Sequence, residues 1–461
     1  MTMEASEMTV LRLGARRSVT GTAWGSFDVL ADTLLTHAVI VGMTGSGKTG
    51  LVTVMVEEAI KNRIPVLIID PKGDLSNLAL AIPNFDPEHM TPWIDAAPGD
   101  PDGIADRPVA EAAADKRKRE LAAWGIDEEV LRAFARETYI RVITPGSEAG
   151  EPLHLLSALE RRSSRWDTDL EGARATLGAA VTMVLQLVGR QADPGRSREH
   201  AFLCALAEPR LRGGADAPLE ALIPLVIEPP MATLGAMPMD AFFSPKQRVE
   251  LAADLNTLIA SQAFAAWRMG QDLDVAKWMS PVDGRTPATI INVAHLDDGA
   301  RGLVLGVILE EFLAWVRSLP GTSRLRALIV FDELYGFLPP HPKDPPTKRP
   351  LVALMKQARA FGVGCILATQ NPMDLDYRAL SNAGTWIIGR LQTDADRKRV
   401  MEGLGEAMGS PIADLVKKLS PRWFVFRDPK TNELTLLNPR WAMSLLRGPM
   451  TPREIQRTRD G

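Results

Sequence analysis

The residues best suited to chemistry follow a short apolar stretch. Ala38-Val39-Ile40-Val41 runs directly into Gly42-Met43-Thr44-Gly45-Ser46-Gly47-Lys48-Thr49-Gly50, which fits G-x-x-x-x-G-K-[ST]. In a strand–loop–helix setting such a loop turns its backbone N–H groups inward around a phosphate. The helix expected from Gly47 onward adds the positive end of its dipole. Lys48 can reach the β- and γ-phosphates of a nucleotide, and the Thr49 hydroxyl can ligate magnesium. Leu51, Val52, Met55, Val56 and Ile60 repeat at helical spacing and supply that helix. Lys48 is expected on a solvated loop, where its charge serves phosphate rather than packing.

The natural partner of this loop is a pair of acids. Arg326-Ala327-Leu328-Ile329-Val330-Phe331 is an apolar strand that ends in Asp332 and Glu333. In phosphoryl-transfer chemistry an acid at a strand end holds magnesium. Asp332 is expected to do so through water, and Glu333 to orient and deprotonate the attacking water. Gln370 ends the next apolar strand, Cys365 to Thr369. Its amide can touch both a γ-phosphate and the lytic water, and can report hydrolysis to the loop Asn371 to Asp376. Two arginines are candidates to neutralise charge on a transferring phosphoryl group. Arg359 lies near the end of the helix before that strand, and Arg390 ends another strand. Asp70 closes the apolar run Pro65 to Ile69 and enters the turn Pro71-Lys72-Gly73-Asp74. A site acid and a turn cap are both open for it.

These residues need a sheet to carry them. Apolar runs at Val66 to Ile69, Ala288 to Val293, Leu328 to Phe331, Gly364 to Thr369, Thr385 to Ile388 and Trp423 to Asp428 alternate with helical patterns. That rhythm predicts an α/β fold with a mainly parallel sheet and helices on both faces. Residues 1–36 form short lead-in strands and residues 37–445 the α/β domain. Helical insertions are expected at 75–137 and 159–284, the second wholly helical, with a tail at 446–461. Lys116-Arg117-Lys118-Arg119 is expected to be a solvated helix face. Arg161, Arg162, Arg165, Arg196 and Arg198 make the second insertion locally basic.

Composition narrows the class. The chain has 461 residues, 46% of them apolar and 24% charged, which suits a soluble globular protein of one large domain with insertions or of two domains. A net charge of −4 gives no global support for nucleic-acid binding, so any basic surface must be local. Two cysteines, Cys204 and Cys365, exclude a disulfide framework and suit a reducing compartment. Met1 to Met8 has no signal-peptide core, and the longest central apolar run, Gly302 to Val316, is broken by Glu310 and Glu311. A cytoplasmic protein without a membrane span is expected.

Taken together, Leu328 to Glu333, Lys356 to Gln370 and Ser381 to Leu391 resemble the HerA–FtsK superfamily of ring-forming DNA-pumping ATPases. His37 to Thr49, Ile68 to Leu75 (Ile-Ile-Asp-Pro-Lys-Gly-Asp-Leu) and Ser381 to Trp386 are similar to the HerA branch in particular. The resemblance implies a RecA-like ATP- and Mg2+-using core, a homo-hexameric ring and movement of double-stranded DNA through its pore, with a nuclease as a further partner. It implies Lys48 and Thr49 on nucleotide and magnesium, Asp332 on magnesium, Glu333 as catalytic acid and Gln370 as sensor. Arg359 then matches the finger that acts across a subunit boundary, with Arg390 as second candidate. Against the family pattern, the N-terminal β-barrel that HerA proteins of the DNA-end-processing type carry is not expected in these 461 residues, and coupling to a nuclease through it is not expected either. Counterparts of FtsK's membrane segments and C-terminal winged helix are likewise not expected in it. The alternative reading is an ATP-driven protein or secretion motor, or a nucleotide-gated scaffold, without DNA activity.

Overall fold

The computed structural model of the chain describes residues 8–18, 24–94, 107–190, 192–370, 372, 375–404 and 410–460. Residues 95–106 and half of the expected relay loop Asn371 to Asp376, including Asn371, lie outside the described residues.

Among the described residues, one sheet of 11 strands organises the molecule. In chain order its strands are β1 (Val10–Ser18), β2 (Trp24–Leu30), β3 (Ala38–Val41), β4 (Val66–Asp70) and β5 (Thr138–Ile143). After two small ladders, of β6 (Leu153–His154) with β9 (Gln271–Asp272) and of β7 (Thr233–Leu234) with β8 (Met237–Pro238), the sheet resumes. It continues with β10 (Thr286–Asn292), β11 (Thr322–Asp332), β12 (Phe361–Thr369), β13 (Thr385–Ile388), β14 (Phe424–Arg427) and β15 (Leu434–Pro439). The spatial order is β2-β1-β15-β14-β13-β3-β12-β11-β4-β10-β5. From β13 to β5 every pair is parallel. From β13 outward through β14, β15, β1 and β2 every pair is antiparallel. The α/β class with a mainly parallel sheet is borne out.

The parallel strands are continuous apolar runs because both faces are covered. Side chains alternate between faces, so Val39, Val41, Leu67 and Ile69 enter one core and Ala38, Ile40, Val66 and Ile68 the other. Helix α1 (Lys48–Lys61) packs in the second core through Leu51, Val52, Met55, Val56 and Ile60. The first core joins the sheet to the long helices Leu170–Leu187 and Asp298–Ser318.

Three expectations need correction. The stretch 159–284 is not wholly helical, since the hairpin of β7 with β8 and the strand β9 lie within it. Lys116 to Arg119 is not wholly solvated. Arg117 is buried and donates to the carbonyls of Asn84 at 2.8 Å, Ile82 at 3.0 Å and Met443 at 2.7 Å. It ties its helix to the C-terminal segment, a role that no local charge pattern reveals. The arginines of the second helical stretch do not form a bare basic patch. Arg161 pairs with Asp272, Arg162 with Asp167 at 2.5 Å, Arg165 with Glu311 at 2.6 Å and Arg196 with Asp193 at 3.8 Å. Asp272 and Glu311 come from distant sequence, whereas Asp167 and Asp193 are local partners.

Candidate nucleotide-binding site

The carboxyl ends of β3, β4, β11 and β12 lie side by side, because the strands are parallel and adjacent. Ligands of open α/β sheets bind at that edge. Strand β3 delivers the loop Gly42 to Lys48, and Gly47 caps α1 with φ +91°, a left-handed conformation suited to glycine. A Cβ on Gly42 would stand 2.6 Å from Ser46 Oγ, so a side chain there would displace the Ser46 hydroxyl.

Lys48 is buried rather than solvated, which corrects the expectation made for it. Its Nζ stands 3.9 Å from Glu333 Oε2. Burial lowers its pKa to about 8, against the pull of Glu333 and Asp332. The ammonium is therefore lost above about pH 8 in the free protein, while a bound polyphosphate would restore it. Affinity for a nucleotide diphosphate is expected to be flat below about pH 8. Above it, affinity should fall by about tenfold per pH unit, as one proton is taken up on binding. Calorimetric titration at about pH 7.5 and about pH 9 checks this, and equal affinities at the two would count against it.

Asp332 and Glu333 stand at the end of β11. Asp332 is buried, and burial raises its pKa against Lys48 and Lys72. Burial pushes Glu333 upward too, but Lys48, Lys72 and Thr369 more than offset this and hold its carboxyl below the ordinary value. Glu333 adopts φ +83°, uncommon for a side-chain-bearing residue and typical of strain held at functional sites. Its Oε1 accepts from the Thr369 hydroxyl at 2.8 Å and its Oε2 from Lys72 Nζ at 2.8 Å.

Gln370 falls between the loop and the acids because its strand β12 lies between β3 and β11. Its Oε1 accepts from Thr44 Oγ1 at 2.7 Å, and its backbone N–H donates to Glu333 at 3.2 Å. One residue thus touches both halves of the site. Asp332 Oδ1 and Lys48 Nζ are buried without hydrogen-bond partners. An acceptor lacking a donor beside a cation lacking an acceptor suits a divalent cation and a phosphate.

The remaining candidates separate by position. Asp70 is fully buried and turned into its own turn, accepting from Gly73 N at 2.8 Å, Ser76 N at 2.9 Å and Ser76 Oγ at 3.0 Å. Its carboxyl shapes the turn that aims Lys72 at Glu333. Arg390 is exposed beside the loop, and its carbonyl accepts from Met43 N at 3.0 Å. Arg359 is exposed before the start of β12, near His37 and away from the site. The nine-residue β12 puts about 26 Å between its first and last Cα atoms. Arg359 cannot reach the phosphate loop of its own chain.

Sequence reasoning placed Lys72 in a turn and gave it no role. Its signal was its position just past the end of a buried parallel strand, where side chains face the ligand edge. Arg422 was also missed. It belongs to no motif and reaches the loop only through folding, its N–H donating to Ser46 O at 2.8 Å.

Residues 26–118 match the family described as "Helicase HerA, central domain". A probable helicase of Methanocaldococcus jannaschii is 30% identical over 138 residues, covering 28% of this chain and 25% of that protein. The matched stretch thus spans about a quarter of that relative's length. Among solved structures, the plasmid coupling protein TrwB in complex with a non-hydrolysable ATP analogue aligns over 91% of this chain and 88% of its own. The identity is 12% and the TM-score 0.52, a likeness of fold. VirB4 of Thermoanaerobacter pseudethanolicus aligns over 94% and 97% at 14% identity, with a TM-score of 0.46. The resemblance to the HerA–FtsK superfamily of P-loop ATPases is borne out, and with it the RecA-like core.

Proposed function

We propose that the chain is an ATP-hydrolysing motor that assembles as a homo-hexamer and translocates along or unwinds double-stranded DNA. The observation that carries hydrolysis is the convergence of Lys48, Asp332, Glu333 and Gln370, from three strands, on one edge of the sheet. The match to the HerA central domain and to a probable helicase supports DNA as the track.

In this reading the N–H groups of Gly42 to Gly50 cradle the phosphates of ATP, and Lys48 places its charge between the β- and γ-phosphates. Magnesium held by Thr49 and Asp332 would neutralise charge on the phosphate oxygens as it develops. Glu333, kept ionised by Lys48 and Lys72, orients the attacking water and takes its proton. Gln370 senses the γ-phosphate and couples it to Glu333 through its backbone N–H. Arg359 of one subunit completes the site of the next.

The alternative motor, acting on protein or gating a scaffold, draws support from the net charge of −4 and from the pairing of the insertion arginines. Phosphate release with and without linear double-stranded DNA separates the two. A several-fold rise is expected with DNA. Steady ATP hydrolysis that ignores DNA would favour the alternative.

A further inference from the structure

Two sides of the phosphate loop face different neighbours. Thr44 meets Gln370 at 2.7 Å, and Glu333 stands beyond, so this side faces the terminal phosphate. The opposite side, Ser46, Gly47 and Gly50, must then face the nucleoside. The turn that enters β14 and the segment that follows β15 both crowd that side. Arg422 N–H donates to Ser46 O at 2.8 Å, and a Cβ on Gly47 would stand 2.9 Å from Arg422 Cγ. Leu446 Cδ1 lies 3.9 Å from the Cβ position of Gly50.

Arg422 stacks its guanidinium on the Trp441 ring, 3.3 Å from the ring centroid. Trp441 is 38% exposed and Leu446 38%, large apolar surfaces left open beside a phosphate-binding loop. The platform is held firmly. Arg422 adopts φ +65°, and its carbonyl accepts from Asn438 Nδ2 at 2.9 Å. Next to Trp441, the buried Arg440 pairs with Glu57 at 2.8 Å and Glu58 at 3.1 Å, both on α1. The N–H groups of Met443 and Ser444 also donate to Glu57, at 3.0 and 2.8 Å. The helix that begins at Lys48 therefore fixes the position of Trp441.

We propose that Arg422 and Trp441 form the stacking platform for the purine base of the bound nucleotide. Guanidinium and indole planes both stack on bases, and such a surface is tolerant of which purine it receives. The proposal rests on the nucleotide-binding reading of the loop and adds where the base lies and what holds it.

The test compares ADP with inorganic pyrophosphate, each with magnesium, by calorimetric titration of the full chain. Trp441→Ala is expected to weaken ADP by about tenfold, in the range of measured base–aromatic stacking, and to leave pyrophosphate unchanged. Trp441→Phe should retain most of the ADP affinity. Unaltered ADP binding in Trp441→Ala would overturn the platform, as would an equal loss for both ligands, which would mean a disturbed loop. If the unmodified chain binds neither ligand, the nucleotide reading itself fails and the platform falls with it.

Discussion

Rings assembled from a mixture of Arg359→Ala and Lys48→Ala subunits are expected to hydrolyse ATP, although each variant alone is nearly inactive. An arginine delivered to the transition state is worth roughly 10³–10⁵ in rate where it acts as a finger. Arg359 is exposed and stands at the end of β12 opposite Gln370, about 26 Å of strand away. That distance is too great for it to serve the loop of its own chain. A Lys48→Ala subunit still offers its Arg359, and an Arg359→Ala subunit still has its own loop and acids, so the site between them is whole. Subunit exchange is verified separately, because Lys48 is buried and its removal leaves Asp332 and Glu333 facing each other with less compensation. Verified exchange without recovered phosphate release would reject the shared site. Arg390 would then be the remaining candidate, acting beside its own loop.

Glu333→Gln is expected to bind ATP and slow its hydrolysis by about 10²–10⁴, the usual contribution of a positioned general base. The amide keeps the size of the side chain and can still accept from the Thr369 hydroxyl, now 2.8 Å from Oε1. It cannot take a proton from water. The loss of the ion pair with Lys72 should cost little stability, since Lys72 is about one-third exposed and can turn to solvent. Nucleotide retained on the protein, measured beside phosphate release, distinguishes the outcomes. Retention with slow release fits a base. Failure to retain ATP would make Glu333 a structural or metal-holding residue, and near-normal turnover would remove it from the chemistry.

The parts of the site set by neighbouring residues are legible in the sequence. Gly42 to Thr49 is such a part, because loop conformation, dipole and charge are encoded within a few residues. Asp332, Glu333 and Gln370 are another, because a continuous apolar run fixes a buried strand and therefore the edge at which its last residue emerges. The α/β class follows from the same runs and the helical spacing between them.

Tertiary structure decided what depends on partners far along the chain. Lys48 is buried in the folded chain, where Asp332 and Glu333 act on its charge. Lys72 becomes a site residue only when β4 and β11 pair, bringing it 2.8 Å from Glu333. Arg117, Arg161 and Arg165 look solvated or basic in sequence, yet carbonyls and acids from elsewhere meet their charge. The antiparallel flank required β1 to find β15, across nearly the whole chain. That pairing carries the segment with Arg440 and Trp441 back to α1. Periodicity records which side of an element is apolar but not which distant element covers it, and the second fact placed these residues at the phosphate loop.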